Sequence, residues 1–329
     1  MRYLLALILL SVGAGSAKGA FQEPLIAPRA AAMGGASLAT PDDSTAMFLN
    51  VAGLGRLEAP EAYMMASKLY AGLDGVASLS KSFMTAGVPT RHGSFGLAIG
   101  EFKAAGLMAE RTFAVGFARS LGQRLRLGVA GKLLHHGFSP EGDPLAQNDP
   151  VFSGGTSKSA FALDLGLMAS LTRNLELGFA VRNLNSPDVG LATEDRVPRE
   201  FRGGLALGFD SVGIKATGEL AMRNSPGFGL ASSIAPMFGL EKSLLQGLVS
   251  FRVGGGPNDL AGGVGLRKGS FGFDYSMSWS RQLSSGHLGT HLLGIRYQFG
   301  TPRPRAGPSY SGPSRPLPKA LLAGDGGDS

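Results

Sequence analysis

Five histidines and no cysteine leave few ways to build a reactive centre in this chain of 329 residues. His135 and His136 are adjacent, and neighbours on a strand face opposite sides, so the pair does not converge on one metal ion. Ser78-Leu79-Ser80-Lys81 has the Ser-x-x-Lys spacing of penicillin-recognising enzymes, but that spacing works on a helix and these residues read as strand. His291 and Asp274 are the types that assist a serine in a hydrolase. His291, however, shares parity with Leu293 and Ile295 while Asp274 has the opposite facing, which keeps the two apart. There is no Gly-x-Ser-x-Gly elbow and no phosphate loop. Neither catalysis, nor a metal, nor a cofactor is expected.

The charged residues are more informative. Arg124, Arg126, Lys132, Asp164, Glu176, Arg182, Glu200, Arg202, Lys215, Glu219, Arg252, Asp274 and Arg296 share the parity opposite to rows of apolar side chains, and they mix both signs. On one face of a curved sheet, such charges pair across strands and hold whatever the sheet encloses, because lone buried charges are costly. Asp42, Asp43 and Asn50, in a segment without period two, are the candidate contacts from the enclosed side.

The elements that must carry these residues follow from the alternation itself, in which successive side chains on a strand face opposite sides. Leu175, Leu177, Phe179 and Val181 oppose Asn174, Glu176, Gly178, Ala180 and Arg182. Phe271, Phe273, Tyr275, Met277 and Trp279 oppose Gly272, Asp274, Ser276 and Ser278. Leu125, Leu127, Val129 and Gly131 oppose Arg124, Arg126, Gly128, Ala130 and Lys132, and Val212, Ile214 and Leu220 oppose Lys215, Thr217, Glu219 and Arg223.

Strands are expected near 61–70, 75–88, 93–103, 108–119, 123–137, 158–171, 173–184, 199–209, 211–224, 228–240, 244–255, 259–267, 270–281 and 288–299. That is about fourteen, with twelve the alternative count. A soluble sandwich would also alternate. Three features favour an all-β, single-chain antiparallel transmembrane barrel with an N-terminal lumen plug. The strands approach the length of about 9 to 11 residues that spans a bilayer. Glycine and alanine crowd the charged face, as a filled lumen requires. Connections alternate between tight turns and long loops, the longest being 138–157 and 185–198, as in outer-membrane barrels. Trp279, Tyr275, Tyr297 and Phe299 are candidates for the aromatic girdles at the bilayer surfaces.

Composition agrees with this reading. Fifty-one glycines and only 17% charged residues suit a sheet protein rich in tight turns. The net charge of +7 comes from basic residues interleaved with apolar ones along strands, which argues against nucleic acid as a partner. Residues 1–19 read as a signal peptide, with Arg2, the apolar run Leu4 to Val12, and Ala17-Lys18-Gly19 as a small-x-small cleavage site. Residues 20–60 form the N-terminal hatch segment, in which Pro41-Asp42-Asp43-Ser44 reads as the N-cap of a short helix from Thr45. Residues 61–299 form the barrel. Residues 300–329, rich in Pro and Gly with Arg303, Arg305 and Arg315, read as a disordered periplasmic tail able to contact periplasmic proteins.

Particular motifs resemble one family. Ala30-Ala31-Ala32-Met33-Gly34-Gly35-Ala36, Asp42-Asp43-Ser44 and Asn50-Val51-Ala52-Gly53-Leu54 are similar to the opening of PorV/PorQ outer-membrane proteins, with Val51 in place of the usual proline. Ala162-Leu163-Asp164-Leu165-Gly166, Val181-Arg182-Asn183-Leu184 and Val197-Pro198-Arg199-Glu200-Phe201-Arg202 resemble the family's central strands. Phe273-Asp274-Tyr275 and Leu288-Gly289-Thr290-His291 resemble its closing hairpin. The resemblance implies a FadL-like barrel with a hatch in its lumen, placed in the outer membrane of a Gram-negative-type bacterium in contact with outer-membrane lipid. It implies a role in protein export, with exported proteins as partners, or uptake of hydrophobic small molecules as the alternative.

Overall fold

The computed structural model describes residues 20–21, 25–72, 79–104, 106–140, 149–224, 234–280 and 288–300. The leader read at 1–19, the tail from 301 onward and Ser78 of the Ser-x-x-Lys match lie outside them.

The alternating segments form fourteen strands in one closed antiparallel sheet. They are β1 (Glu61–Lys68), β2 (Leu79–Pro89), β3 (Ser94–Ala104), β4 (Met108–Leu121), β5 (Leu125–Phe138), β6 (Ser157–Ser170) and β7 (Leu175–Arg182). There follow β8 (Arg199–Phe209), β9 (Ile214–Asn224), β10 (Ile234–Leu244), β11 (Val249–Gly255), β12 (Asp259–Lys268), β13 (Phe271–Ser280) and β14 (Thr290–Gln298). Each strand pairs with its sequence neighbours, and β1 closes on β14 in the register Glu61↔Gln298 to Lys68↔His291. Closure leaves no strand at an end of the sheet, the condition for crossing lipid without a free edge. Along the first half of β6, which pairs with β7 over 165–170 alone, loop residues such as Asn185 take the place of a strand partner. No described helix is long and apolar enough to cross a membrane; the strands cross instead.

The alternation sorts the side chains as the periodicity requires. Leu97, Ile99, Val115, Phe161 and Phe179 point outward and are exposed, Val115 by 61%. Such side chains recur on almost every strand, an apolar belt far larger than the few hundred Å² a water-soluble monomer tolerates. Placed in lipid, each of these half-exposed side chains regains roughly half of the 1.5–3 kcal/mol that full burial of such a side chain is worth.

One end of the barrel carries the turns around 90–93, 122–124, 171–174, 210–213, 245–248 and 269–270. The other carries the long connection 183–198 and the described ends of the connection between β5 and β6, with the tight link 256–258 as an exception. At the short-turn rim Phe271 packs on Tyr297 and Tyr297 on Phe299, with ring centroids 4.9 and 4.7 Å apart. Phe95 and Phe117 pair at 5.0 Å nearby in the sheet order. Trp279 stands towards the opposite end. Tyr275 departs from the girdle expectation: it sits in the middle of β13, where its hydroxyl meets His291 Nδ1 at 2.8 Å on the outer face.

Strand ends differ from the sequence reading mainly at β10, which runs to Leu244 and not to 240, because Leu240-Glu241-Lys242-Ser243 keeps the alternation going to the turn at Leu245–Gly247, and correspondingly at β11, which begins at Val249 and not at 244.

Inside the sheet lie residues 25–60, which is why glycine and alanine line the inner face. A short helix, α1 (Pro28–Ala32), starts with proline, whose missing N–H costs nothing at that position. Two 3-10 turns follow, Ser44–Phe48 and Val51–Arg56. The Asp43 side chain caps the first by accepting from Thr45 N at 3.0 Å, and Asn50 caps the second by accepting from Ala52 N at 3.2 Å. The enclosed segment touches the wall so closely that two glycines leave no room for a Cβ. At Gly254 it would lie 2.2 Å from the Met33 carbonyl carbon, and at Gly128 2.5 Å from Ala52 N.

Candidate functional site: a charged lumen closed by the N-terminal segment

The inward charges meet the enclosed segment in several groups, each set by strand register. The densest is built on β10 to β13. Glu241 and Arg252 are directly opposed across β10 and β11, and Arg252 Nε donates to Glu241 at 2.7 Å. Arg252 Nη1 donates to Asp274 at 2.7 Å, and Arg267 and the Tyr63 hydroxyl each reach the other Asp274 oxygen at 3.4 Å. The plug enters through Arg29 of α1, which donates to Glu241 at 3.0 Å and to Asp42 at 2.7 Å. Burial alone would weaken the Arg29 guanidinium's hold on its proton, but Asp42 and Glu241 outweigh it and raise its pKa well above the ordinary value. Asp274 is fully buried and Arg252 nearly so, so each charge depends on its partners.

Other groups grip the backbone of the plug directly. The Glu219 carboxylate accepts from Ser37 N and Leu38 N, both at 3.0 Å, and is itself paired with Arg202, which donates to Gly35 O at 3.2 Å. Glu176 pairs with Arg56 of the second 3-10 turn. Asn50 donates to Leu38 O at 3.0 Å and to Leu167 O of β6 at 3.1 Å. Glu61 accepts from Ser44 N at 2.5 Å and faces Arg296 at 3.6 Å. Arg182 joins Glu200 and Leu49 O, both at 3.4 Å. Lys132 pairs with Asp164 at 2.7 Å within the wall.

Of the residues singled out from sequence, the structure brings Asp42, Asp43, Asn50, Glu176, Arg182, Arg202 and Glu219 into contacts made by or with the plug. It places Lys132, Asp164, Arg252, Asp274 and Arg296 in wall pairs around it. Arg126 reaches Ser170 Oγ at 3.3 Å at the short-turn end. Arg124 is a correction: β5 begins at Leu125, so Arg124 belongs to the exposed turn 122–124 and does not enter the lumen. His135 and His136 lie within β5 and face opposite sides, as their adjacency on a strand requires, His135 outward to Ser159 Oγ at 2.9 Å and His136 buried inward.

Sequence reading missed Arg29, Arg56, Glu61 and Glu241. Glu241 fell beyond the assumed end of β10. Glu61 begins a strand whose inward residues include Tyr63 and Met65, so polarity gave no cue to its facing.

Cavities lie beside these groups. One of about 90 Å³ is lined by Phe21, Leu25, Phe48, Lys132, Leu134 and Arg182, among others. Another, about 330 Å³ and strongly polar, lies near the short-turn end between Arg29, Asp42, Lys215, Glu241, Arg252 and Arg296.

The architecture has known counterparts. A CymD monoaromatic hydrocarbon channel aligns with a TM-score of 0.63 at 13% identity, over 84% of this chain and 98% of that one. A toluene transporter, TodX, of P. putida aligns with a TM-score of 0.59 at 12% identity, over 84% and 99%. A FadL homologue of Pseudomonas aeruginosa gives 0.55 at 12% identity, over 86% and 100%. At these identities the likeness is one of fold. No curated protein matches the sequence. The family model described as type IX secretion system membrane protein PorP/SprF matches residues 68–297, most of the chain and nearly all of its barrel, and the chain therefore belongs to the PorP/SprF family.

Proposed function

We propose that this chain acts in protein export as an outer-membrane component of a type IX secretion system, working as a closed docking barrel and not as an open pore. The observation that carries this reading is the family match across the barrel, taken with a lumen filled by residues 25–60 and tied to the wall by ion pairs. A plug bonded at so many points leaves no passage for a polypeptide, so exported proteins would be received at the long loops. The narrower kinship with PorV/PorQ rests on the motifs at 30–36, 42–44 and 50–54, ahead of the matched region, and on those at 162–166, 181–184, 197–202, 273–275 and 288–291 within it. Lipid surrounds the belt in this reading, and the segment after 300 is available to periplasmic proteins.

Native isolation from membranes tests it. Exported proteins should co-purify with the intact chain and be lost when residues 183–198 are replaced by a short linker. Their absence from both preparations would contradict the proposal.

A second reading, uptake of hydrophobic small molecules, is favoured by the smaller cavity, where Phe21, Leu25, Met47 and Phe48 form an apolar wall beside the paired charges Lys132–Asp164 and Arg182–Glu200. Saturable displacement of a fluorescent fatty acid, weakened by Leu134→Trp, would support it.

A further inference from the structure

The first two described residues reach the long-loop end of the lumen and end there on acid groups. Ala20 N donates to both oxygens of the Asp195 carboxylate, at 3.2 and 3.5 Å, and Phe21 N donates to Glu110 of β4 at 2.7 Å. Ala20 is 5% exposed and packs with Leu134, Ala162, Val189 and Val197, so the plug, the wall and the β7–β8 loop meet at this one residue. Asp195 is held in place by its own loop: its N–H donates to Asp188 at 2.8 Å, and its carbonyl accepts from Val189 N at 3.0 Å.

Independently of this geometry, Ala17-Lys18-Gly19 places a cleavage between Gly19 and Ala20. We propose that Gly19–Ala20 is the processing site, and that the ammonium it releases is the natural occupant of a receptor formed by the Asp195 carboxylate, with Glu110 holding the next amide, that of Phe21, in place beside it. A leader peptidase adds water across the amide: Gly19 departs with the leader as a carboxylate, and the Ala20 nitrogen takes up a proton to become an ammonium. A neutral amide gives Asp195 a weak partner. An ammonium gives it a full opposite charge, and a charge-assisted bond is about twice as strong as a neutral one. An ammonium buried among Val189, Val197 and Leu134 without a carboxylate would in turn be costly. Processing therefore pins the plug to the outer loop, and only a chain cut at the right bond can make the pin.

The chain expressed with residues 1–19 and purified from membranes in mild detergent decides the first half. Intact mass and N-terminal sequencing should show a start at Ala20; a different start, or a retained leader, overturns the proposal. Acylation of the α-amine, read on the N-terminal peptide, decides the second. In the folded chain it should run at least roughly tenfold slower than in the urea-unfolded chain. Asp195→Asn should restore most of the rate, and Asp195→Glu should keep the protection. Equal rates in folded and unfolded chain, or full protection in Asp195→Asn, would overturn it. If Asp195→Asn does not fold, the folded-against-unfolded comparison on the native chain stands alone as the decision.

Discussion

Asp274 shows how much a single lumenal charge supports. Its two oxygens take Arg252, Arg267 and Tyr63, and through Arg252 and Glu241 it is linked to Arg29 of the plug. Removing one member of a buried charge network strands the others, at a cost of about 3–5 kcal/mol. Asp274→Ala should therefore lose that much stability in guanidinium unfolding of the detergent-held barrel. Outward Phe273→Ala, which leaves no charge without its partner, should lose less. A smaller loss for Asp274→Ala than for Phe273→Ala would show that the network carries little. Asp274, Arg252 and Glu219 were legible in the sequence, because parity on a strand is a local property that needs no knowledge of the partner strand. Arg124 was misplaced by one turn residue, and Glu241 was passed over by one strand end. Boundaries depend on turn geometry, which alternation does not encode.

Among the elements, the plug and the β7–β8 loop are the parts whose behaviour packing and charge decide. A side chain at Gly128 would press on the backbone at Val51 and Ala52, where no flexible group can yield. Gly128→Val should displace the 3-10 turn Val51–Arg56, expose it to protease, and cost about 1–3 kcal/mol while the barrel still closes. Unchanged protease resistance would place the plug elsewhere.

The loop is organised by Asp188, which accepts from Lys158 at 2.5 Å, from Gly190 N at 3.0 Å and from Asp195 N at 2.8 Å. The Lys158 bond first, and then the backbone donor of Gly190, lower its carboxyl pKa to about 2. Since the folded value lies below the unfolded one of about 3.9, the stabilisation is complete above pH 4 and is lost as pH falls through 2. The protection factors of residues 183–198, in which the intrinsic pH dependence of amide exchange is divided out, should fall across that window and be flat from pH 5 to 7. Asp188→Asn should exchange fast throughout. The existence of a long loop at this position was readable from its Pro, Asn and Asp content, but its inward fold onto Ala20 was not, since that depends on where the chain's beginning comes to rest.

At the scale of the whole molecule, fourteen strands, their order and their facing all follow from one repeated local rule, and this is why so much of the barrel could be read before it was seen. Closure of β1 on β14 adds what no single strand contains: a lumen with fixed volume, in which a segment lacking period two becomes the core. The family assignment then ties that shape to secretion, while the resemblance to hydrocarbon and FadL-type channels extends to fold.

The most direct test of the outward belt uses the absence of native cysteine. Single spin labels on Leu97→Cys, Val115→Cys, Val129→Cys and Phe179→Cys, in the barrel reconstituted into vesicles, are compared with Gln123→Cys in a short turn. Labels in the belt should collide freely with lipid-soluble oxygen and scarcely with a water-soluble nickel complex, and the turn label should do the reverse. Belt labels that meet the nickel complex as readily as the one at position 123 would mean that these rows do not face lipid.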